Sequence, residues 1–278
     1  MRIVVASGKG GTGKTTVATS LALSLPQAQF VDADAEEPNA HLFLHPRIEH
    51  TVPVHMMVPE IDPDSCTYCG KCAEFCHFNA LAVVKRQVLV FPELCHGCGG
   101  CLVVCPERAV REVQRQIGEV EIGNARGMRF VQGRLRPGEP SAVRIVQREL
   151  AEIESDTCAV VDAPPGTACA VVEVIGGADF CLLVTEPTPF GLHDMVMAAD
   201  AAKELGVPAG VIINRSGRRD ALIEEGCRER GLPTLMRIPF RREIAEAYSR
   251  GRCLVDAFPE YGERFRGLFG EIRRSTPS

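Results

Sequence analysis

The chain has 278 residues, of which 45% are hydrophobic and 24% charged, proportions that exclude disordered, collagen-like and coiled-coil architectures and suit one large α/β domain carrying an insertion. The formal net charge is -5, and no Lys/Arg run is long enough to neutralise a row of phosphates, so nucleic acid is not an expected partner. Thirteen cysteines is the abnormal count, and their clustering suits ligands better than a disulfide framework.

Met1 and Arg2 lead directly into the strand-like Ile3 to Ser7, with no charged region followed by an apolar one, so no signal peptide and a reducing, cytoplasmic setting are expected. No apolar run approaches the roughly 20 residues that span a bilayer. A Gly-rich turn follows, then an amphipathic helix from Val17 to Leu25 stopped by Pro26, then a second strand at Phe30 and Val31. His41, His45, His50 and His55 crowd the next stretch; the spacing of the first two permits a metal on a helix, but a solvated segment is the expectation.

From Pro59 to Val113 the composition changes, and the spacing of Cys66, Cys69, Cys72 and Cys76 is repeated at Cys95, Cys98, Cys101 and Cys105, which marks a duplicated unit. Residues 114 to 140 read as hairpin strands and turns. Regular alternation then resumes: a helix from Ser141 to Ile153, and apolar strands at Cys158 to Asp162, Phe180 to Thr185 and Gly210 to Asn214 with helical stretches between. The expectation is a doubly wound parallel sheet covered on both faces, discontinuous over 1–58 and 114–278, with a ferredoxin-like insert at 59–113. In the tail, Tyr261, Phe265, Leu268, Phe269 and Ile272 share one helical face; a final helix packed on the sheet is preferred to a membrane-surface helix.

Gly8, Lys9, Gly10, Gly11, Thr12, Gly13, Lys14, Thr15 and Thr16 fit G-x-x-x-x-G-K-[ST] between a predicted strand and a predicted helix, the setting that motif requires. Glycines let backbone N–H groups curl around phosphate, the helix N-terminus favours negative charge, Lys14 supplies a point charge and the Thr15 hydroxyl can reach Mg²⁺. Asp32, Asp34 and Asp162 end predicted strands, where open α/β sheets bind ligands.

The loop from Lys9 to Thr15, with its doubled glycine and extra lysine, resembles the deviant Walker A motif of the MinD, ParA and nitrogenase-iron-protein superfamily of ATP-dependent dimers. The resemblance implies that Lys9 crosses a homodimer interface, that Asp34 acts in switch I on the attacking water, that Asp162 is the switch II carboxylate near Mg²⁺, and that Asn214 reads adenine. Taken with Asp32 to Asn39, Thr185 to Gly191 and the cysteine repeat, the chain is similar over nearly its whole length to MinD-superfamily P-loop ATPases containing an inserted ferredoxin domain.

Each cysteine run is C-x2-C-x2-C-x3-C, which sends three thiolates to one 4Fe-4S cube and the fourth to the other. The expected sets are Cys66, Cys69, Cys72 and Cys105 for one cluster, and Cys95, Cys98, Cys101 and Cys76 for the second, with zinc as the competing metal. Pro106 follows Cys105 as in bacterial ferredoxins, whereas His77 follows Cys76, a difference that can make the clusters inequivalent. Among the remaining cysteines, Cys158 and Cys181 suit a core, while Cys169, just after the switch II segment that the resemblance implies, has a plain structural role as its expected reading and redox or metal duty as the alternative. The function expected is an ATPase with Mg-ATP and two 4Fe-4S clusters, a nucleotide-dependent homodimer passing electrons to a redox or metallocluster protein that presents a basic patch. An Mrp-like cluster or cofactor-assembly ATPase and a MinD-like positioning ATPase are the alternatives, with a membrane partner not favoured.

Overall fold

The computed structural model describes residues 1–276. Its first half contains strands β1 (Arg2–Ala6), β2 (Ala28–Asp32), β3 (Arg47–Ile61), β4 (Leu81–Val84), β5 (Gln87–Val90), β6 (Val110–Ala125) and β7 (Met128–Leu135), with helices α1 (Lys14–Ser24), α2 (His41–Leu44), α3 (Lys71–Phe75) and α4 (Gly100–Val103). The second half alternates α5 (Val143–Leu150), β8 (Cys158–Asp162), α6 (Cys169–Ile175), β9 (Phe180–Thr185), α7 (Pro189–Glu204), β10 (Ala209–Ser216), α8 (Asp220–Glu229) and β11 (Thr234–Pro239), and closes with α9 (Arg242–Ser249), α10 (Leu254–Ala257) and α11 (Glu260–Ser275).

The main sheet has nine strands in the order β11-β10-β9-β1-β8-β2-β7-β6-β3. From β11 to β7 the pairs are parallel; β6 and β3 are antiparallel additions at one edge. The parallel sheet expected from strand–helix alternation is therefore present, extended at one edge by antiparallel strands. The hairpin strands after the cysteine repeat extend the sheet beyond β2.

Period-2 alternation builds two cores. Val4, Val31, Val161 and Leu183 face α5 to α8, whereas Ile3, Phe30, Val160 and Leu182 face α1, α2 and the three C-terminal helices. Tyr261, Phe265, Leu268 and Ile272 of α11 are buried in the second core, so its apolar stripe is covered within the chain. No described helix is long and apolar enough to cross a membrane.

β3 and β6 pair from Arg47 opposite Asn124 to Ile61 opposite Val110, but β6 lies on β7 only over residues 118–125. The remaining ribbon projects past the sheet and carries the cysteine-rich residues at its tip, where the Asp62 N–H donates to the Ala109 carbonyl at 2.8 Å. Both strands run through positions 58 and 113, so the backbone does not break where the composition changes. Sequence reading placed no strand over 47–61 because its His, Pro and charged residues break the apolar alternation; two-strand pairing, with half-exposed side chains, supplies the order instead.

Helix α5 lies unusually close to this edge. A Cβ on Gly118 would fall 2.2 Å from Ile145 Cδ1, and one on Gly133 would fall 2.6 Å from Glu149 Oε1. Glu149 is fully buried, and burial, with Asp32 and Asp34 adding to it and the Gly133 amide opposing, holds its pKa well above the ordinary carboxyl value.

Two outcomes follow from this packing. Phe265→Ala should lower unfolding free energy by about 3–5 kcal/mol in urea titrations, because α11 loses its fully buried anchor. The folded state binds the Glu149 proton more tightly than the unfolded state, so this group costs stability as pH rises above the unfolded carboxyl value, by up to about 1.4 kcal/mol per pH unit. Between pH 5 and 8 the urea midpoint of Glu149→Gln should therefore fall less steeply than that of wild type; equal slopes would show that the carboxyl is solvated.

Candidate functional site

The site lies at the C-terminal ends of β1, β2, β8, β9 and β10. Strand β1 ends at Ala6 and α1 begins at Lys14, so residues 7–13 form a loop capping the helix N-terminus. Gly11 and Gly13 have φ of 79° and 91°, a conformation open to glycine at little cost. At Gly13 a side chain is excluded twice over, since a Cβ would sit 2.2 Å from Asn214 Nδ2. The loop is tied down from β10: Asn214 Nδ2 donates to the Thr12 carbonyl at 2.7 Å and Arg215 Nη2 to the Gly11 carbonyl at 3.0 Å.

Lys14 is buried and its Nζ lies 2.7 Å from Asp162 Oδ1. Asp162 and Asp32 are register partners on adjacent strands, both fully buried. Asp32 accepts the Asn39 and Ala40 amides at 3.0 and 2.9 Å, which fixes the turn carrying Asp34. Burial on its own would lower the Lys14 pKa, but Asp162, then Asp32 and Asp34, raise it. Burial and Asp162 push Asp32 up to about 7; burial pushes Asp34 up to about 6, with Lys14 opposing and Asp162 assisting. Three carboxylates thus share one lysine. Asp162 Oδ2 is buried without a hydrogen-bond partner, and Thr15 is buried nearby at the start of α1, a donor set that fits a hard divalent cation accompanying phosphate.

Lys9 points elsewhere. Its Nζ is 2.6 Å from Glu186 Oε1, and Arg215 Nη1 is 2.7 Å from Glu186 Oε2. Burial disfavours the charged form of Glu186, but the two cations hold its pKa below the ordinary value. Glu186 and Arg215 were not singled out by sequence reasoning. Glu186 directly follows strand β9, so the rule that singles out Asp32 and Asp162 applies to it as well. Beside the loop, a cleft of about 290 Å³ runs from Gly13 and Asn214 to Ile238, Phe240 and Tyr248. Ile238, Phe240, Ile244 and Tyr248 give it an apolar wall.

At the ribbon tip the cysteines form two groups. Cys66, Cys69, Cys72 and Cys105 line one cavity; Cys76, Cys95, Cys98 and Cys101 line another. In the first, the amides of Tyr68 and Ala109 donate to the sulfurs of Cys66 and Cys105 at 3.4 and 3.3 Å. In the second, those of Gly97 and Ala80 donate to Cys95 and Cys76 at 3.4 and 3.3 Å. The donor to Cys76 is Ala80 rather than His77, and Ala109 plays the matching part for Cys105, so the His-for-Pro difference leaves this contact alike in both. Among the described residues, no group of three or more His, Cys, Asp or Glu side chains converges to hold a single metal ion. The four thiols of each set instead line one shared cavity. Cys169 is exposed at the start of α6, while Cys181, Cys227 and Cys253 are buried.

Residues 3–255 match the model of the CobQ/CobB/MinD/ParA nucleotide binding domain family. Two uncharacterized proteins of Methanocaldococcus jannaschii are similar along nearly their whole length: MJ0578 is 28% identical, with 98% of this chain and 96% of that protein covered, and MJ0579 is 28% identical, with 92% and 91% covered. Among solved structures, the cell division ATPase MinD of Pyrococcus furiosus superposes with a TM-score of 0.59 at 22% identity, covering 98% of each chain. The septum site-determining protein MinD of Pyrococcus horikoshii, complexed with Mg-ADP, gives 0.60 at 19% identity, covering 98% of this chain and 95% of that one.

Proposed function

Because the chain belongs to the CobQ/CobB/MinD/ParA family of nucleotide-binding domains, we propose that it is an ATPase whose nucleotide-switched homodimer couples Mg-ATP hydrolysis to electron transfer through two 4Fe-4S clusters, toward a partner protein carrying a metallocluster. The observation that carries the redox half is the grouping of eight cysteines into two cavities, each with two backbone amides donating to sulfur. Such amides stabilise thiolates. When bound, the clusters supply one-electron transfer; Cys66, Cys69, Cys72 and Cys105 would hold one, and Cys76, Cys95, Cys98 and Cys101 the other.

The ATPase half rests on the loop and its carboxylates. The amides from Gly8 to Thr16 and the α1 N-terminus receive phosphate oxygens, Lys14 neutralises developing charge, and the Thr15 hydroxyl and Asp162 would hold Mg²⁺. Asp34 stands beside Lys14 and Asp162 as the group that orients water. Binding must break the Lys14–Asp162 pair, because phosphate and carboxylate compete for one ammonium. Release of Asp162 reaches the segment before α6, and release of Lys9 from Glu186 frees it toward a second subunit. Asn214 and the Phe240 cleft would take the base.

The assembly-ATPase reading shares every one of these residues and differs in what leaves the protein, electrons or a cluster. The positioning reading gains from the MinD-like fold, but the α11 stripe that would meet a membrane is already packed on α1.

Anaerobically reconstituted protein should contain about eight iron and eight sulfide per chain, and Cys69→Ser or Cys98→Ser should each remove about half. In a redox titration followed by EPR, at least one midpoint potential should differ between Mg-ADP and a non-hydrolysable ATP analogue. Lys14→Gln should abolish that difference together with ATP hydrolysis. Intact clusters whose potentials ignore nucleotide would defeat the coupled-transfer reading and favour assembly.

A further inference from the structure

A second cleft, of about 370 Å³, lies between the ribbon tip and the nucleotide-binding domain. Met56 of β3 and His96 of the second cysteine group line one side; Ser141, Arg144 and Gln147 line another, and Cys169 lies at the end toward α6. Its size is that of a small-molecule pocket, and its accessible lining is polar and apolar in about equal parts.

We propose that this cleft binds a small carboxylate, gripped by the Arg144 guanidinium with His96 and Gln147 as further donors. The argument begins with charge. Three neighbouring arginines are committed to carboxylates, Arg115 to Glu139 at 2.7 Å, Arg134 to Glu121 at 3.0 Å and Arg148 to Glu152 at 2.6 Å, and a fourth, Arg136, has its guanidinium taken up by the two oxygens of Gln116 at 3.2 and 2.8 Å. Arg144 instead donates to a carbonyl, that of Gly97, at 3.3 Å, and among the described residues it has no carboxylate partner. A guanidinium presents a planar fork of five donors, matched to a carboxylate, and here most of the fork remains available. The acid in the cleft wall, Glu139, is neutralised by Arg115, so it does not repel an anion.

The wall carrying Arg144 is also held in place. Gly97 has φ of 62°, and a Cβ there would fall 2.8 Å from Met56 Cγ and 3.2 Å from Arg144 Nη2. The loop between Cys95 and Cys98 is thereby pressed between β3 and α5, with no room for a side chain. The imidazole of His96 is fixed as well, stacked on Phe78 with ring centroids 3.7 Å apart. A carboxylate in the cleft touches the loop between two sulfurs of the second group and, at its far end, the helix that follows Asp162. Where the proposed function assigns that group a cluster, the ligand lies against that cluster's loop; this last step rests on the cluster reading, while the binding itself does not.

Cys169 serves as an internal reporter, because it is the exposed cysteine outside the two groups. On the full-length protein, handled anaerobically, its alkylation by iodoacetate and by iodoacetamide is followed by peptide mass spectrometry. Nearby cations raise thiolate content equally for both reagents, so the ratio of the two rates isolates recognition of the reagent's carboxylate. That ratio should exceed the value for N-acetylcysteine by about five-fold, the effect of one contact charge in a largely aqueous setting, and the iodoacetate rate should saturate with concentration. Arg144→Gln should return the ratio to the free-thiol value, and Arg144→Lys should retain part of the excess.

A wild-type ratio at or below the free-thiol value overturns the proposal, as does a raised ratio that Arg144→Gln leaves unchanged. Iron and sulfide content of the same samples keeps the two readings apart. Cluster-free protein with a raised, Arg144-dependent ratio keeps the cleft and removes the cluster assignment; cluster-loaded protein with a free-thiol ratio does the reverse.

Discussion

One lysine amid three carboxylates sets the terms for the rest of the molecule. Lys14 and Asp162 meet at 2.7 Å in a buried setting, with Asp32 in register beside Asp162 and Asp34 two residues on. An ion pair removed from water is held at a desolvation cost that its own attraction barely offsets. This one also carries surplus negative charge, which is why Asp32 and Asp34 are pushed up to about 7 and about 6. A bare polyphosphate entering such a site would meet repulsion; a polyphosphate that brings a divalent cation relieves it. Whatever binds at these strand ends has to answer that surplus of negative charge.

A second set of contacts, separate from that cluster, stiffens the loop. Gly13 has no room for a side chain because Asn214 is bonded to the loop backbone, and Arg215 grips both Gly11 and Glu186. Glu186 in turn holds Lys9. Lys9, the loop from Gly11 to Gly13, Glu186, Asn214 and Arg215 are therefore linked through one short chain of contacts from β9 to β10. A ligand that displaces Asp162 from Lys14 acts on a connected unit rather than on isolated side chains, which is the physical condition for a switch.

Local chemistry made much of this legible in the sequence. Strands β8 and β9 are continuous apolar runs ending at Asp162 and Thr185, and their limits coincide with those read from the pattern; buried parallel strands write themselves plainly because both faces need apolar residues. The α11 face was equally plain, since Tyr261, Phe265, Leu268 and Ile272 repeat at helical spacing and are all buried. The long ribbon was not legible. β3 is paired on one side only, at the sheet edge, and leaves His50, Pro53 and His55 exposed, so its order comes from β6, many residues away, and leaves little local trace. Glu149 was hidden for a similar reason. In the sequence it is one more charged residue near a helix end, and only the approach of α5 to Gly133 buries it.

The two cysteine groups share their local geometry and differ in what surrounds them. Cys95 belongs to the buried core on the α5 face, with Cys76 packed against it, and the Gly97 carbonyl is held by Arg144 of α5. The first group meets Ile61, Val83 and Val88 at the outer end of the ribbon and has no member in either large core. A displacement of α5 is therefore felt by the second group through direct packing and by the first only through the ribbon. α5 is in a position to transmit such a displacement, because it lies on β7, whose last residue, Leu135, donates to the Ala35 carbonyl at 2.8 Å, one residue beyond Asp34. Duplication supplied two equal sets of cysteines in the sequence. The asymmetry between them arises in the fold, from which copy is pressed against the domain that holds nucleotide.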